Sequence, residues 1–195
     1  MDIFKAIKRE KKFLNRLYFK MILLAILLPL SMYLTGIHST FYYVYLVIVE
    51  VLIFLVIVNK INSTRITYYC NNNRLKFKCG IFSKESLIFC DKVVLVHTEK
   101  MEYDMEIYIF STVNFKNKNL KLVGKNMLKR LPNIQKEYNK VKESNEDKII
   151  YCQVVKRGGL KKYLFLDTIY KNCVRATYTP ECIENIKISR GQTLV

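Results

Sequence analysis

The chain has 195 residues, enough for one ordinary domain with a small appendage but not for two enzymatic domains. Its net charge of +17 points to anionic partners, either nucleic acid or an acidic membrane surface. The six cysteines form no CxxC pair, and His38 and His97 stand at no zinc-like spacing from them, so neither a metal nor another cofactor is expected.

Residues 1–19 set Lys5, Lys8, Arg9, Lys11, Lys12 and Arg16 among Ile3, Phe4, Ile7, Leu14 and Leu17. This is the pattern of a basic amphipathic helix on a membrane surface. The simpler reading is a positively charged flank that sets topology, and it is favoured because scattered cations need no particular lipid for that task. Residues 20–59 follow as a transmembrane hairpin, with spans over about 18–37 and 41–58. Each run is long enough to cross a hydrocarbon core of roughly 30 Å. A cleaved signal peptide does not account for the length of the first run or for the second one that follows it. A buried soluble hairpin would need a polar face, and these runs are apolar all round. Cations flank both outer ends while the turn between the runs has none, so both termini are expected in the cytoplasm. In that reducing compartment the thiols stay free.

Glu50 is the one charge in the second run, and a mid-membrane acid is a functional hypothesis by default. Pro29 suggests a quieter role, because it removes the helical partner of the Ala25 carbonyl. In its protonated form Glu50 could bond that carbonyl, or the Ser31 hydroxyl, across the hairpin. Contact with another subunit is the next reading, and transport the last.

Residues 60–145 change to short β-rich segments. Strands are expected over 64–70 and 74–79 about an Asn71-Asn72-Asn73 turn, then over 86–90, 92–98, 105–111 and 119–123. A helical pattern over about 125–142 has Pro132 inside it as a kink or restart. For the extension, 146–195, a β-hairpin of 148–156 and 160–166 is expected about Arg157-Gly158-Gly159. A short helix over 180–188 follows, with Thr179 as its cap and Pro180 at its first position. The predicted class is therefore α+β.

Two apolar helices followed by Thr64-Arg65-Ile66-Thr67-Tyr68-Tyr69, then Arg74-Leu75-Lys76-Phe77-Lys78-Cys79-Gly80-Ile81-Phe82, then Leu87 to Val96, resemble the bacterial pleckstrin-homology-like (PH-like) membrane proteins. The resemblance covers roughly residues 20–140. It implies a curved sheet or partial barrel closed by a helix near 125–142, and it supplies no catalytic residues.

No phosphate loop, nucleophile elbow or paired-carboxylate frame is present, so the chain does not read as an enzyme. Glu99, Glu102, Asp104 and Glu106 near His97 read as a solvated loop, and Asp167 as a helix cap. Arg157-Gly158-Gly159, in a single copy, reads as turn chemistry rather than RNA binding. Lys125, Lys129 and Arg130 in the helical region and Lys161 and Lys162 beyond the glycines are expected, with Lys5, Lys8, Arg9, Lys11 and Lys12, to face anionic lipid headgroups. The expected whole is a bacterial inner-membrane accessory or scaffold protein, its PH-like domain contacting lipid, other membrane proteins or its own copies. Two rivals are a secretion or conjugation subunit that touches nucleic acid, a less favoured partner, and a small transporter using Glu50.

Overall fold

The computed structural model describes residues 2–36, 39–100, 104–114, 117, 119–124, 127–128, 132–145 and 148–192. Lys125, Lys129 and Arg130, like His38 and Glu102, lie outside them. The protein is α+β: two long N-terminal helices lead into a domain in which two sheets and three further helices are delimited among the described residues.

Helix α1 (Ile3–Thr35) starts at Asp2, whose carboxylate accepts from the Phe4 N–H at 3.2 Å, and stops at Gly36, in the left-handed conformation that favours glycine. Helix α2 (Thr40–Thr64) returns beside it. Both are long and apolar enough to cross a membrane, and almost none of either apolar stretch is buried in the protein. The basic N-terminal segment is not a separate helix; α1 runs through it without a break. On that stretch Ile3 and Ala6 are buried, bracketed by Asp2 beside Gly191 and by Glu10 against Gly159 and Leu160. Two small apolar side chains thus anchor the segment to the domain while its lysines remain exposed.

Strands β1 (Ile66–Asn71), β2 (Arg74–Cys79) and β3 (Ser86–Phe89) form an antiparallel sheet in that order. Asn72 and Asn73 both take positive φ, as a two-residue turn that follows the strand twist requires. The alternation read in β2 is real: Leu75 and Phe77 are buried, and Arg74 and Lys76 are exposed. A short 3-10 turn (Cys90–Lys92) leads to the second sheet. Its strands are β4 (Val93–Lys100), β5 (Met105–Ser111), β6 (Lys121–Leu122), β7 (Tyr151–Val155) and β8 (Thr177–Tyr178), in the spatial order β6-β7-β5-β4-β8. All neighbours are antiparallel except β4 and β8.

Helix α3 spans Pro132–Glu143, and the segment before it that would tell a kink from a restart lies outside the described residues. The expected partner strand over 160–166 is instead the first half of α4 (Lys161–Asn172), and β7 pairs with β5 and β6. The cause is burial at helical spacing: Phe165, Leu166 and Ile169 all turn to the core, which no alternating strand would allow. Helix α5 (Pro180–Ser189) starts where expected, but Thr179 makes no capping bond; its hydroxyl meets His97 Nδ1 at 3.0 Å.

The main core lies between the two sheets and α4 and α5. Phe165 stacks on Tyr68 and Phe77 with ring centroids 5.1 and 5.0 Å apart. Each buried ring of this kind stabilises the fold by roughly 1.5–3 kcal/mol. A second cluster, Leu95, Phe110, Ile134, Val141 and Cys152 among them, lies between β4, β5, β7 and α3. The strand and helices of residues 151–189 therefore share cores with the strands before them.

Candidate functional site

A groove of about 430 Å³ opens where β3 of the first sheet faces β6 and β7 of the second. Its floor is a polar network. Gln153 donates from Nε2 to Ser86 Oγ at 2.7 Å, Asn119 donates to the same hydroxyl at 2.7 Å, and Asn117 donates to Gln153 Oε1 at 2.8 Å. Ser86, Asn117 and Gln153 are buried, so these bonds replace water at the junction of the sheets and hold it in register.

Around this floor stand Lys84, Lys121, Lys156 and Arg157. Lys156 pairs with Glu106 at 3.3 Å, and Glu106 also accepts from the Tyr108 hydroxyl at 2.8 Å. Among the described residues no ion pair engages Lys84, Lys121 or Arg157. Cys79 lines the same groove; burial pushes its thiol up to about 11, opposed by Lys162 and Arg157. The arrangement holds three uncommitted cations beside fixed amide and hydroxyl dipoles, chemistry suited to a phosphate or carboxylate.

The groove is fastened to the end of α2. Gly80 N–H donates to Arg65 O at 2.6 Å, Ile81 N–H to Asn62 Oδ1 at 2.8 Å, and Gly158 N–H to Ser63 O at 2.8 Å. Cys79 and Arg157, both on the groove wall, are the immediate neighbours of two of these glycines.

The residues expected to meet anions divide. Lys5, Lys8, Arg9, Lys11 and Lys12 are exposed along α1, where Lys8, Lys11 and Lys12 with Arg16, Phe19 and Lys20 line a second, shallow depression. Lys161 is exposed at the start of α4. Lys162 is a correction: its side chain has no solvent exposure, and its ammonium meets Asp104 at 2.7 Å and the carbonyls of Lys156, at 2.8 Å, and Met105. It faces the core side of α4, so it cannot reach a headgroup.

In the helix pair the Ser31 hydroxyl donates to Leu28 O of its own helix at 2.8 Å, within a turn of Pro29. Glu50 Oε1 is buried with no hydrogen-bond partner, so this oxygen makes neither of the bonds expected across the hairpin, to the Ala25 carbonyl or to the Ser31 hydroxyl. His97 is buried beside Thr179; desolvation pulls its imidazole below the ordinary value, against Glu181 and Glu99. Glu99 and Glu106 both accept from Tyr108. Asp167 caps nothing: it binds Lys171 and Arg190, joining α4 to α5.

Sequence reasoning missed Lys84, Lys121 and the polar floor. They come from segments far apart in the chain, and only the packing of β3 against β7 unites them. No family model, curated protein or solved structure matches the chain.

Proposed function

We propose that this is a non-enzymatic bacterial inner-membrane scaffold protein whose PH-like cytoplasmic domain holds anionic lipid headgroups in the groove between its two sheets. The observation that carries this reading is the position of the groove. The apolar run of α2 ends at Val58, and the residues that fasten the groove lie at 62–65, roughly 6–10 Å further along the helix at 1.5 Å per residue. The headgroup layer on each side of a bilayer is about 5–8 Å deep. In this reading Arg157, beside Gly158, falls at the depth of lipid phosphates, with Lys84, Lys121 and Lys156 around the same groove, and Arg16 and Lys20 of α1 fall in the same layer. Each basic residue near an anionic surface contributes about 1 kcal/mol. Tethering removes the cost of bringing the domain to the membrane, so contacts this weak are populated.

The test places the full chain in nanodiscs of either phosphatidylcholine alone or phosphatidylcholine with phosphatidylglycerol. Amide exchange is then followed in residues 79–86 and 151–157. Protection is expected only with the anionic lipid, weaker at high salt, and lost when Lys84, Lys121 and Arg157 are all changed to Gln. Equal exchange in both discs would remove the reading. Protection produced by a DNA duplex in neutral discs would favour the nucleic-acid rival.

A further inference from the structure

Three of the six thiols converge although they are far apart in sequence. Cys70 comes from β1, Cys90 opens the 3-10 turn, and Cys173 ends α4. The Cys70 and Cys90 sulfurs are 3.9 Å apart, and Cys173 packs in the same core cluster. The backbone fixes this meeting: Cys90 N–H donates to Asn73 O at 2.8 Å, which holds the turn against the β1–β2 hairpin. Cys90 and Cys173 are buried, whereas Cys70 is partly exposed.

The surroundings divide the proton unevenly. Cys173 is the largest influence on Cys90; desolvation opposes it, the bond from Cys70 assists, and Asp91 opposes. The Cys90 thiol falls to about 7, while burial and the Cys90 charge push Cys70 up to about 11. Tyr178, on β8, also faces the cluster and bonds through its hydroxyl to Cys173 O at 2.9 Å. By contrast burial raises the thiols of Cys79, Cys152 and Cys182. A thiolate fraction is what makes a cysteine nucleophilic, so the chemistry concentrates at one cluster.

We propose that Cys70 and Cys90 are a reversible dithiol that closes to a disulfide on meeting a hydroperoxide. The Cys90 thiolate attacks the peroxide oxygen, the O–O bond breaks, and the leaving alkoxide takes a proton to depart as an alcohol, or as water from hydrogen peroxide. Cys90 is left as a sulfenic acid. Cys70 then attacks the Cys90 sulfur, the S–S bond forms, and the sulfenic oxygen leaves as water carrying the Cys70 proton. Two thiols lose two electrons in all, and the peroxide gains them. The sulfurs must close by about 2 Å to reach bonding distance, a movement within the reach of side-chain rotation. Such bonds in a reducing compartment are transient and sensing rather than structural.

The test treats the reduced full chain, in detergent micelles, with hydrogen peroxide. Intact mass and non-reducing peptide maps are then recorded. Loss of two hydrogens and a link between the peptides holding Cys70 and Cys90 are expected, reversed by dithiothreitol and absent in Cys70→Ser and in Cys90→Ser. Cys173→Ser should still form the link. Links scattered among all six cysteines, or oxidation of Cys70 and Cys90 no faster than of Cys152, would overturn the dithiol.

Discussion

Glu10 stands at the first turn of α4, its carboxylate accepting from the Leu160 N–H at 3.3 Å and close to Gly159. Burial raises its pKa above the ordinary 4.5; the Leu160 bond opposes this, and nearby Asp104 adds to it. A raised acid favours the folded state while protonated, so its contribution is full below the unfolded value and lost as pH rises through the folded one. At pH 7 the charge is therefore a burden while the hydrogen bond remains useful. Glu10→Gln keeps an acceptor without the charge, and thermal unfolding in micelles at pH 7 should show it at least as stable as the native chain. Glu10→Ala should cost about 1 kcal/mol, because it leaves the Leu160 donor without that acceptor. A lower melting temperature for Gln than for Ala would contradict this account. Lys162, nearby, makes the opposite compromise: a fully buried ammonium tolerated because one carboxylate and two carbonyls surround it.

Helices α4 and α5 pack side by side and are tied by Asp167, which meets Lys171 at 2.5 Å and Arg190 at 2.7 Å, with Arg190 also lying over the Tyr170 ring. Burial alone would raise the Asp167 carboxyl, but the bonds from Lys171 and Arg190 outweigh it and hold the group below its ordinary 3.8. A depressed acid contributes stability above its unfolded value, lost as pH falls through the folded one. Asp167→Asn should thus cost about 1 kcal/mol in urea unfolding at pH 7, and the gap from the native chain should narrow as pH falls through the lowered pKa of the folded state. A gap independent of pH would mean the tie is packing rather than charge. The same pair of helices marks what could be read in advance. Pro180 announces α5, and Asn72-Asn73 with the alternation of β2 announces the first hairpin, because turn chemistry and periodicity are local signals. Helix α4 was hidden because Leu160 to Leu166 mixes apolar and basic residues in a way that suits a strand as well; only contact with Phe77 and Tyr68 decides which face is buried. Strand β8 has two residues and a parallel partner, too little pattern to detect. Of the groove, Arg157 belongs to a glycine turn legible in the sequence, but nothing local joins it to Lys84, Lys121 and Lys156.

At the scale of the whole molecule, the domain is held to both long helices. The end of α2 is bonded to residues 80, 81 and 158, and the first half of α1 is seated through Ile3, Ala6 and Glu10. Gly80 is critical to the first attachment. It has φ +86, and a Cβ there would meet Asn62 Oδ1 at 2.2 Å and the Asn62 carbonyl oxygen at 2.7 Å. Gly80→Ala should therefore lower the melting temperature through both strain and clash, by about 2 kcal/mol or more. It should also open the 59–66 segment to protease while the domain core stays resistant. Uniform resistance in that variant would show that the junction does not depend on this close approach.

Helix α1 continues from its apolar stretch to the flank of the domain without a flexible joint, and this has a mechanical consequence. About fifteen residues precede the first span, a rigid arm of roughly 22 Å at 1.5 Å per residue. Helices tilt to match the thickness of the bilayer they occupy. With the domain seated on the arm and bonded to the second helix as well, a change of tilt has no linker in which to dissipate. In the proposed membrane setting it would swing the domain instead, about 4 Å at the tip of the arm for each ten degrees, and bilayer thickness would be a quantity the domain registers as its own height and angle.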